Sequence, residues 1–268
     1  MKQTIFITGA SSGFGKETVN LFHRKGWNVV ATMRSPDGSF AGLDGVLVTR
    51  LDVTDKASIA SAVAAAVQRF GGIDVLVNNA GYGTLGALEA APDAVIREQF
   101  EVNFFGLIEV TRAVLPGMRA RKSGVIVNVS SIGGRVTFPF CTLYHATKFA
   151  VEGFTESLQY ELNPLGIRLK IVEPGGYKTN FAGRSMGLYG AGGLAEYAAP
   201  YGRFLAQLER WPMSENIGEV ADVIFEAVTD GSEQLRYPVG QEAGPMLEAR
   251  GRVDDVAFKN MVIAQTGI

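Results

Sequence analysis

Short apolar runs alternate along the chain with longer segments whose apolar residues recur at helical spacing. The runs Val75-Leu76-Val77 and Val125-Ile126-Val127 are apolar at every position, as strands covered by helices on both faces must be. This alternation is typical of βαβ units that build a parallel sheet. The predicted strands are Thr4–Thr8, Asn28–Thr32, Val46–Thr49, Asp74–Val77, Val125–Val129, Arg168–Val172 and Leu235–Val239. The predicted helices are Gly15–Lys25, Lys56–Phe70, Ala94–Ala120, Leu143–Leu162 and Gly218–Thr229.

No linker, charge run, internal repeat or low-complexity tract divides the chain. Residues 1–268 are therefore predicted to form a single α/β domain, a doubly wound and mostly parallel sheet of seven strands with helices on both faces. The stretch Phe181–Pro212 lacks a strand pattern and is rich in glycine and aromatic residues. Because it follows the carboxyl end of a strand, where ligands bind, we expect a mobile apolar lid. A surface helical insertion without a ligand role is the alternative.

Composition and charge exclude several classes of protein. Hydrophobic residues make up 47% and charged residues 19% of the chain, which excludes a disordered chain and supplies a sizeable core. A formal charge of −2 gives no global attraction to nucleic acid or to an anionic membrane. The one cysteine, Cys141, and the two histidines, His23 and His145, are too few for a disulfide framework or a Cys/His zinc site. No apolar run reaches the ~20 residues of a membrane span, and no signal-peptide core precedes Gly9, so a cytoplasmic location is expected.

Glycine is in excess, at 33 residues, and part of that excess follows the first strand. There the chain reads Thr8-Gly9-Ala10-Ser11-Ser12-Gly13-Phe14-Gly15-Lys16 and then continues as an amphipathic helix. Glycines in this position allow a tight turn and a close approach to a pyrophosphate, whose charge is favoured at a helix start. The spacing is G-x-x-x-G-x-G, and glycines after a first strand also form plain turns. The loop alone therefore leaves cofactor binding and a simple turn both open.

Further motifs follow the glycine loop in order. They are Asp52 after the third strand, Asn78-Asn79-Ala80-Gly81 after the fourth, Ser130-Ser131 after the fifth, Tyr144-xxx-Lys148 on the next helix, and Pro174-Gly175-Gly176-Tyr177-Lys178-Thr179. Together they resemble the short-chain dehydrogenase/reductase family over nearly the whole chain. The segment Ala31-Thr32-Met33-Arg34 is similar to the branch that contains hydroxysteroid and retinol dehydrogenases and many bacterial relatives. The resemblance implies a Rossmann domain with a nicotinamide cofactor.

The end of the second strand bears on which nicotinamide is used. An NAD enzyme usually places an acid there for the adenosine ribose, whereas this chain has Met33 followed by Arg34. A guanidinium can bind a 2′-phosphate through paired, charge-assisted hydrogen bonds, so NADP(H) is predicted. The nearest acid, Asp37, lies beyond Pro36 and is not expected to bind the ribose. Ser12 either adds a hydroxyl to the same phosphate site or caps the following helix.

The resemblance assigns the remaining cofactor contacts. It places Asp52 at the adenine amino group, Asn79 to Gly81 along the adenosine, and the Tyr177 backbone and Thr179 at the nicotinamide carboxamide. The full set of expected contacts is Gly9, Ser11, Ser12, Gly13, Phe14, Gly15, Arg34, Asp52, Val53, Asn79, Ala80, Gly81, Tyr144, Lys148, Pro174, Gly175, Tyr177 and Thr179.

Tyr144 and Lys148 are four residues apart, so both side chains lie on one face of a helix. Ser131 precedes Tyr144 by the separation that recurs in the family. A phenol has a pKa of about 10, and lowering it by ~3 units requires ~4 kcal/mol. An ammonium ~5 Å away supplies about 3.3 kcal/mol at an effective dielectric of ~20, so Lys148 is expected to lower the Tyr144 pKa most of the way. Tyr144 is assigned as general acid in reduction and base in oxidation, Ser131 as hydrogen-bond partner of the substrate oxygen, and Lys148 additionally as holder of the nicotinamide ribose.

By the same resemblance, Asn103 matches the fourth catalytic position and would fix a water that links Lys148 to solvent. His145 and Cys141 flank the tyrosine, but a nucleophilic role lacks the ordered Cys/His/Asn context. Both are interpreted as pocket-wall or core residues.

The sequence thus predicts an NADP(H)-dependent oxidoreductase that interconverts a carbonyl and a secondary alcohol. Phe138, Phe140 and the aromatic residues of the lid favour a hydrophobic small-molecule substrate, without nucleic-acid or membrane partners. A non-catalytic NADP-sensing regulator is the alternative, although such relatives typically lose the tyrosine or lysine, and epimerisation or dehydration on the same fold is a third. By resemblance the long helices Ala94–Ala120 and Leu143–Leu162 form dimer faces, so a homodimer or homotetramer is expected, with a monomer still open.

Overall fold

A computed structural model of the chain describes residues 2–178 and 186–268. Strands and helices alternate along it much as the hydrophobic pattern predicts. The strands are β1 (Thr4–Ile7), β2 (Asn28–Met33), β3 (Val46–Arg50), β4 (Val75–Asn78), β5 (Gly83–Gly86), β6 (Gly124–Val129), β7 (Ile167–Pro174), β8 (Met186–Gly190) and β9 (Arg236–Val239). The helices are α1 (Gly13–Arg24), α2 (Lys56–Phe70), α3 (Asp93–Phe100), α4 (Gly106–Arg121), α5 (Thr142–Leu162), α6 (Ala195–Leu208), α7 (Gly218–Thr229), α8 (Ala243–Arg252) and α9 (Asp255–Thr266).

Seven of these strands form one parallel sheet in the order β3-β2-β1-β4-β6-β7-β9. Alternate residues of each strand point to opposite faces. Ile5 and Val77 belong to a core on the face of α1 and α7, whereas Phe6 and Leu76 belong to a second core on the face of α2 and α4. The predicted doubly wound α/β fold is therefore confirmed. Strand order reverses between β1 and β4, and ligands of such sheets bind outside the strand ends at this reversal.

The predicted helix Ala94–Ala120 is wrong as a continuous α-helix. The segment Glu101–Phe105 is π-helical and separates α3 from α4. A π-helical turn holds one more residue than an α-helical turn and often occurs at functional sites. Here the wider turn directs the buried Asn103 inward, where its amide bonds both backbone groups of Tyr82.

The stretch Phe181–Pro212, in which no strand was predicted, contains β8, which pairs in parallel with β5 in a second, two-stranded sheet. Each of these short strands contains two glycines, which are unfavourable in strands, so the sequence does not indicate them. The pairing is made by the backbone, for example from Ala87 N to Gly190 O at 2.9 Å. Phe181 lies outside the described residues. Helices α8 and α9 were likewise not predicted.

None of the helices within residues 2–178 and 186–268 is long and apolar enough to cross a membrane. In the same residues, no group of three or more His, Cys, Asp and Glu side chains could hold a metal ion.

Candidate active site

A cavity of about 730 Å³ opens at the carboxyl edge of the central strands, where the strand order reverses. Loops after β1, β2, β3, β4, β6 and β7 contribute to its wall. Most of the expected site residues line it: Gly9, Ser11, Ser12, Gly13, Phe14, Arg34, Asp52, Val53, Asn79, Ala80, Gly81, Ser131, Tyr144, Lys148, Pro174, Gly175 and Tyr177. Gly15 and Asn103 lie behind that lining, and Thr179 lies outside the described residues.

The glycine loop is built against the end of β4. Gly9 and Gly13 have φ of +69° and +54°, which favours glycine at both positions. The Asn79 amide donates to Thr8 O at 2.9 Å and to Gly9 O at 3.1 Å, so it ties the loop to the neighbouring strand. A Cβ on Gly15 would lie 2.6 Å from Asn79 Nδ2 and closer still to the Gly9 carbonyl. Gly15 therefore allows α1 to pack beneath the loop.

Gly15→Ala should lower both thermal stability and cofactor affinity. The added methyl has backbone on one side and Asn79 on the other, and overpacking of this kind costs about 1–3 kcal/mol. Thermal unfolding with and without cofactor measures both effects. Gly153→Ala is the matched control, since no atom lies within 4 Å of a Cβ there and alanine favours the helix. Equal melting temperatures for the two variants would contradict the packing role of Gly15.

The end of β2 presents a cation and no available acid. Arg34 is exposed and lines the cavity. Asp37 lies outside the lining, and the Ser39 side chain, together with a 2.9 Å hydrogen bond from Ser39 N, lowers the pKa of its carboxylate. Ser12 occupies the N-cap position of α1 but makes no capping bond, so the capping alternative is wrong. This corner of the cavity therefore suits a phosphate better than a ribose diol.

Asp52, which is expected at the adenine, and Asn78, which precedes the expected contact Asn79, have well-defined surroundings. Asp52 Oδ1 accepts hydrogen bonds from Thr54 N at 3.0 Å and from Thr54 Oγ1 at 2.8 Å. The bond from the Thr54 backbone, followed by the one from its hydroxyl, holds the Asp52 pKa below its ordinary value. The neighbouring Asn78 is buried and donates to Asn128 and Thr111, so it joins β4 to β6 and α4. Asn78 is therefore a structural residue, and Asp52 remains an ionised acceptor.

The loop after β7 is held on several sides. Gly175 N donates to Val239 O at 2.9 Å, and Gly176 N donates to the carboxylate of Glu242. The Tyr177 ring is buried and packs edge-on against Phe14 at 5.4 Å between centroids. Glu242 was not predicted, because it lies far along the chain and belongs to no motif of fixed spacing. Its carboxylate fills the space that side chains at the two glycines would need.

The structure brings Tyr144, Lys148 and Ser131 together. Tyr144 and Lys148 project from one face of α5, with the ammonium 5.8 Å from the centre of the phenol ring. The Tyr144 hydroxyl is hydrogen-bonded to Ser131, which lies just beyond the end of β6. Lys148 is buried and donates to Val129 O at 2.9 Å. The preceding Ser130 lies beside Glu152, so Ser131 is the serine of this pair that reaches Tyr144.

Burial is the main cause of the pKa shifts of Tyr144 and Lys148. It raises the pKa of Tyr144 to about 12, although the hydrogen bond with Ser131 acts to lower it. It also lowers the pKa of Lys148 to about 8, against the opposing effect of the Glu152 carboxylate. The expectation that Lys148 lowers the Tyr144 pKa most of the way is therefore wrong, because removal of the phenolate from water outweighs the attraction. Tyr144 in this protein is a protonated phenol at neutral pH.

Asn103 is buried, and its amide is fully engaged. Its Oδ1 accepts from Tyr82 N at 3.0 Å, and its Nδ2 donates to Tyr82 O at 2.8 Å and to Thr147 Oγ1 at 3.2 Å. These bonds join the loop after β4 to α5, immediately next to Lys148. The water-fixing role stays a prediction.

His145 and Cys141 are wall residues in this geometry. His145 is buried with Nδ1 2.8 Å from Gly133 O, and its Nε2 accepts from Phe138 N at 3.0 Å. The second bond requires an unprotonated Nε2, and burial lowers the pKa of His145 to about 4. Burial raises the pKa of Cys141 to about 12, so its thiol stays protonated and is a poor nucleophile. His145 thus fixes the loop that follows Ser131.

The outer part of the cavity comes from residues that no motif marks. Helix α6 and the segment after it supply Phe204, Gln207, Leu208, Trp211 and Met213, and α9 supplies Thr266. Of the apolar and aromatic residues of the expected lid, Phe204 is buried in this wall, whereas Leu188 is exposed. The helical spacing of apolar residues in α6 is the signal that could have identified this wall.

Comparison with known proteins agrees with this architecture. The family model described as short chain dehydrogenase matches residues 3–186, and the chain belongs to that family. An uncharacterized oxidoreductase of Schizosaccharomyces pombe is 41% identical over 233 residues, covering 84% of this chain and 96% of its own. Human retinol dehydrogenase 8 is 41% identical over 194 residues, which cover 68% of this chain and 61% of that protein.

Solved structures show the same fold. A short-chain dehydrogenase from Streptomyces avermitilis superposes with a TM-score of 0.84 at 34% identity, covering 100% of this chain and 98% of its own. Actinorhodin polyketide ketoreductase with NADPH gives a TM-score of 0.75 at 28% identity, with 91% and 97% covered. A 3-ketoacyl-(acyl-carrier-protein) reductase from Brucella melitensis with NADH gives 0.74 at 25% identity, with 88% and 96% covered. The protein is therefore an oxidoreductase of this family with a nicotinamide cofactor.

Proposed function

We propose that the protein is an NADP(H)-dependent oxidoreductase that interconverts a carbonyl and a secondary alcohol on a hydrophobic small molecule. The observation that supports this most is the Tyr144 hydroxyl hydrogen-bonded to Ser131, with Lys148 beside it, in the wall of the large cavity. A proton donor, a second hydroxyl and a buried cation are the groups that carbonyl reduction requires. The aromatic and aliphatic wall from α6 favours an apolar substrate.

The described residues fit an NADP nucleotide. The backbone of the glycine loop and the start of α1 would receive the pyrophosphate, because helix starts favour negative charge. Arg34 would bind the 2′-phosphate, joined by the hydroxyl of Ser12, which is not used as a cap. Asp52 would accept from the adenine amino group, and Lys148 would hold the nicotinamide ribose. The ketoreductase neighbour with NADPH supports this choice of nucleotide.

The proton follows the short path from Tyr144 to the substrate oxygen. When bound, the nicotinamide supplies the hydride for reduction or accepts it in oxidation. In reduction the Tyr144 hydroxyl donates its proton to the substrate oxygen, to which the Ser131 hydroxyl also hydrogen-bonds. The ammonium of Lys148 then stabilises the phenolate that remains. In oxidation the phenolate takes the proton back from the alcohol.

Turnover tests this proposal directly. Purified protein is incubated with NADPH and a broad panel of aliphatic and aromatic ketones, and the absorbance of reduced nicotinamide is followed. Consumption of NADPH that depends on both ketone and Tyr144 is the expected result. The sensor alternative predicts NADPH binding without turnover of any ketone, and that outcome would overturn the proposed activity. Retention of Tyr144, Lys148 and Ser131 in mutual proximity favours the enzyme.

The kcat for ketone reduction should be independent of pH below about 8 and should decline above that pH. Lys148, with a pKa of about 8, is charged below that pH and neutral above it, whereas Tyr144 stays protonated throughout. Because the Glu152 carboxylate raises the Lys148 pKa, Glu152→Gln should move the decline to lower pH. Profiles of kcat against pH measure the shift. Glu156→Gln is the control one helical turn away, bonded to the same Arg236, and should leave the decline in place.

We further propose that residues 1–268 act as a single domain and that the protein forms a homodimer or homotetramer through α4 and α5. Phe149 of α5 and Phe105 at the start of α4 are large apolar side chains exposed on this surface. Sedimentation equilibrium would measure the assembly, and a concentration-independent monomer would contradict it.

A further inference from the structure

A second cavity of about 210 Å³ lies between α8 and α9, outside the site described above. Met246, Ala249, Phe258 and Val262 give it an apolar wall. Its polar lining side chains are Glu242 and Gln265, and Glu242 already accepts a hydrogen bond from Gly176 N. Among the residues that the structure describes, no lysine or arginine lines it. An anionic group would therefore be unpaired here, whereas an apolar group fits the predominantly apolar wall.

The second cavity shares a wall with the first, because the Phe138 side chain lines both. Phe138 also packs against two separate clusters of buried apolar side chains. One cluster contains Leu85, Cys141 and Phe204 of the large cavity, and the other contains Ile132, Leu247 and Phe258. The last turn of α9 forms a second part of the partition, with Gln265 facing the second cavity and Thr266 facing the first. The two cavities are therefore neighbours, separated by the Phe138 ring and the last turn of α9.

The backbone of Phe138 is fixed by a hydrogen bond, whereas its ring is held by packing. Its backbone N–H is bonded to His145, which is itself buried and bonded to Gly133. The ring packs edge-on against Trp211 and at a tilt against His145, at 5.4 and 5.7 Å between centroids. A rotation of the side chain would open the partition while the loop after Ser131 stays in place. Met246 and Met261 on the far side can adapt their shape to an occupant.

We propose that the second cavity receives the unbranched apolar tail of a carbonyl substrate whose reacting carbon lies at Tyr144. The tail passes Phe138 and lies between α8 and α9. This inference rests on the proposed activity, and it narrows the substrate to ketones with a long aliphatic chain. Phe138 lines both cavities, and the one carboxylate in the described lining, Glu242, is already hydrogen-bonded to Gly176 N, which favours an apolar tail that is covalently part of the substrate.

A homologous series of methyl ketones, from butanone to tetradecanone, tests the proposal. The value of kcat/KM should increase about fourfold for each methylene that becomes buried, until the second cavity is full. Ala249→Phe fills the second cavity and should end this increase at a shorter chain. The variant should therefore lose kcat/KM only with the long ketones. Ala264→Phe is the matched control, since Ala264 is exposed on α9 and lines neither cavity. If Ala249→Phe does not fold, Met261→Phe fills the same space from α9.

Binding is measured separately, so that failure of the activity and failure of the tail site can be told apart. Trp211 packs against Phe138, and its fluorescence should be quenched by a long ketone with a nitroxide near the end of its chain. Quenching that Ala249→Phe removes supports the tail site even if no ketone is turned over, and only the proposed activity is then lost. Turnover with equal chain-length dependence in wild type and Ala249→Phe would overturn the tail site. If Ala249→Phe changes the oligomeric state but not the chain-length dependence, the second cavity is a contact between subunits. That outcome would also overturn the proposal.

Discussion

Tyr144→Phe is expected to lower kcat for ketone reduction about a thousandfold, within the range typical of a lost general acid. The variant keeps the ring in the cavity wall and removes only the hydroxyl that is bonded to Ser131. Proton delivery then depends on water, which the apolar wall from α6 disfavours. Cofactor affinity should fall far less than kcat, because Arg34 and the glycine loop remain and only one of the expected cofactor contacts loses a hydroxyl. Steady-state rates and an NADPH titration measure the two quantities on one preparation.

Tyr160→Phe provides the matched control for this prediction. Tyr160 lies on the same helix, α5, and its side chain is 73% exposed, far from any contact with the cavity. Its loss of a hydroxyl should leave both kcat and cofactor affinity unchanged. If Tyr144→Phe retained the wild-type rate, another group would have to deliver the proton. His145 is poorly suited, because a pKa of about 4 leaves its ring neutral near pH 7.

The central sheet could be predicted because its physical requirements are visible in the sequence. Strands such as β4 and β6 are covered on both faces, so three consecutive positions in each are apolar, and short runs of this kind stand out. The interruption at Glu101–Phe105 could not be predicted in the same way. Its apolar residues continue the helical pattern, and the inward turn of Asn103 depends on hydrogen bonds with Tyr82, distant along the chain. The pairing of β5 with β8 could not be predicted either, because it is made by backbone groups, which are present in every sequence.

The candidate site likewise contains residues that the sequence could predict and residues that it could not. Residues at strand ends, such as Asp52 and Ser131, occupy positions that the sheet itself determines, so motif spacing placed them in the cavity. Glu242 and Trp211 reach the site from elements without fixed spacing to those strands. The pKa of Tyr144 was misjudged for another reason. Coulomb's law can be applied to an assumed distance, but the cost of burial depends on packing that only the structure shows.

Arg34→Asp should change the nucleotide preference from NADPH towards NADH. Two charge-assisted hydrogen bonds to the 2′-phosphate contribute about 1.5–3 kcal/mol each, so their loss weakens NADPH binding by about 10² to 10⁴-fold. The new carboxylate also repels the phosphate and can accept hydrogen bonds from the ribose diol that NADH offers at this position. Dissociation constants of both nucleotides, measured by fluorescence titration, give the change in preference. Unchanged NADPH affinity would show that Arg34 does not bind the 2′-phosphate.

Arg50→Asp separates a direct contact from a general effect of charge. Arg50 pairs in register with Met33, the residue before Arg34, but does not line the cavity. Its replacement alters the net charge by the same amount one strand away, and an exposed charge acts weakly at that distance in salt. A large loss of NADPH affinity in Arg34→Asp but not in Arg50→Asp would identify a contact with the 2′-phosphate. Equal losses would show that the positive field around Asp52 as a whole attracts the nucleotide, because both arginines act on that carboxylate.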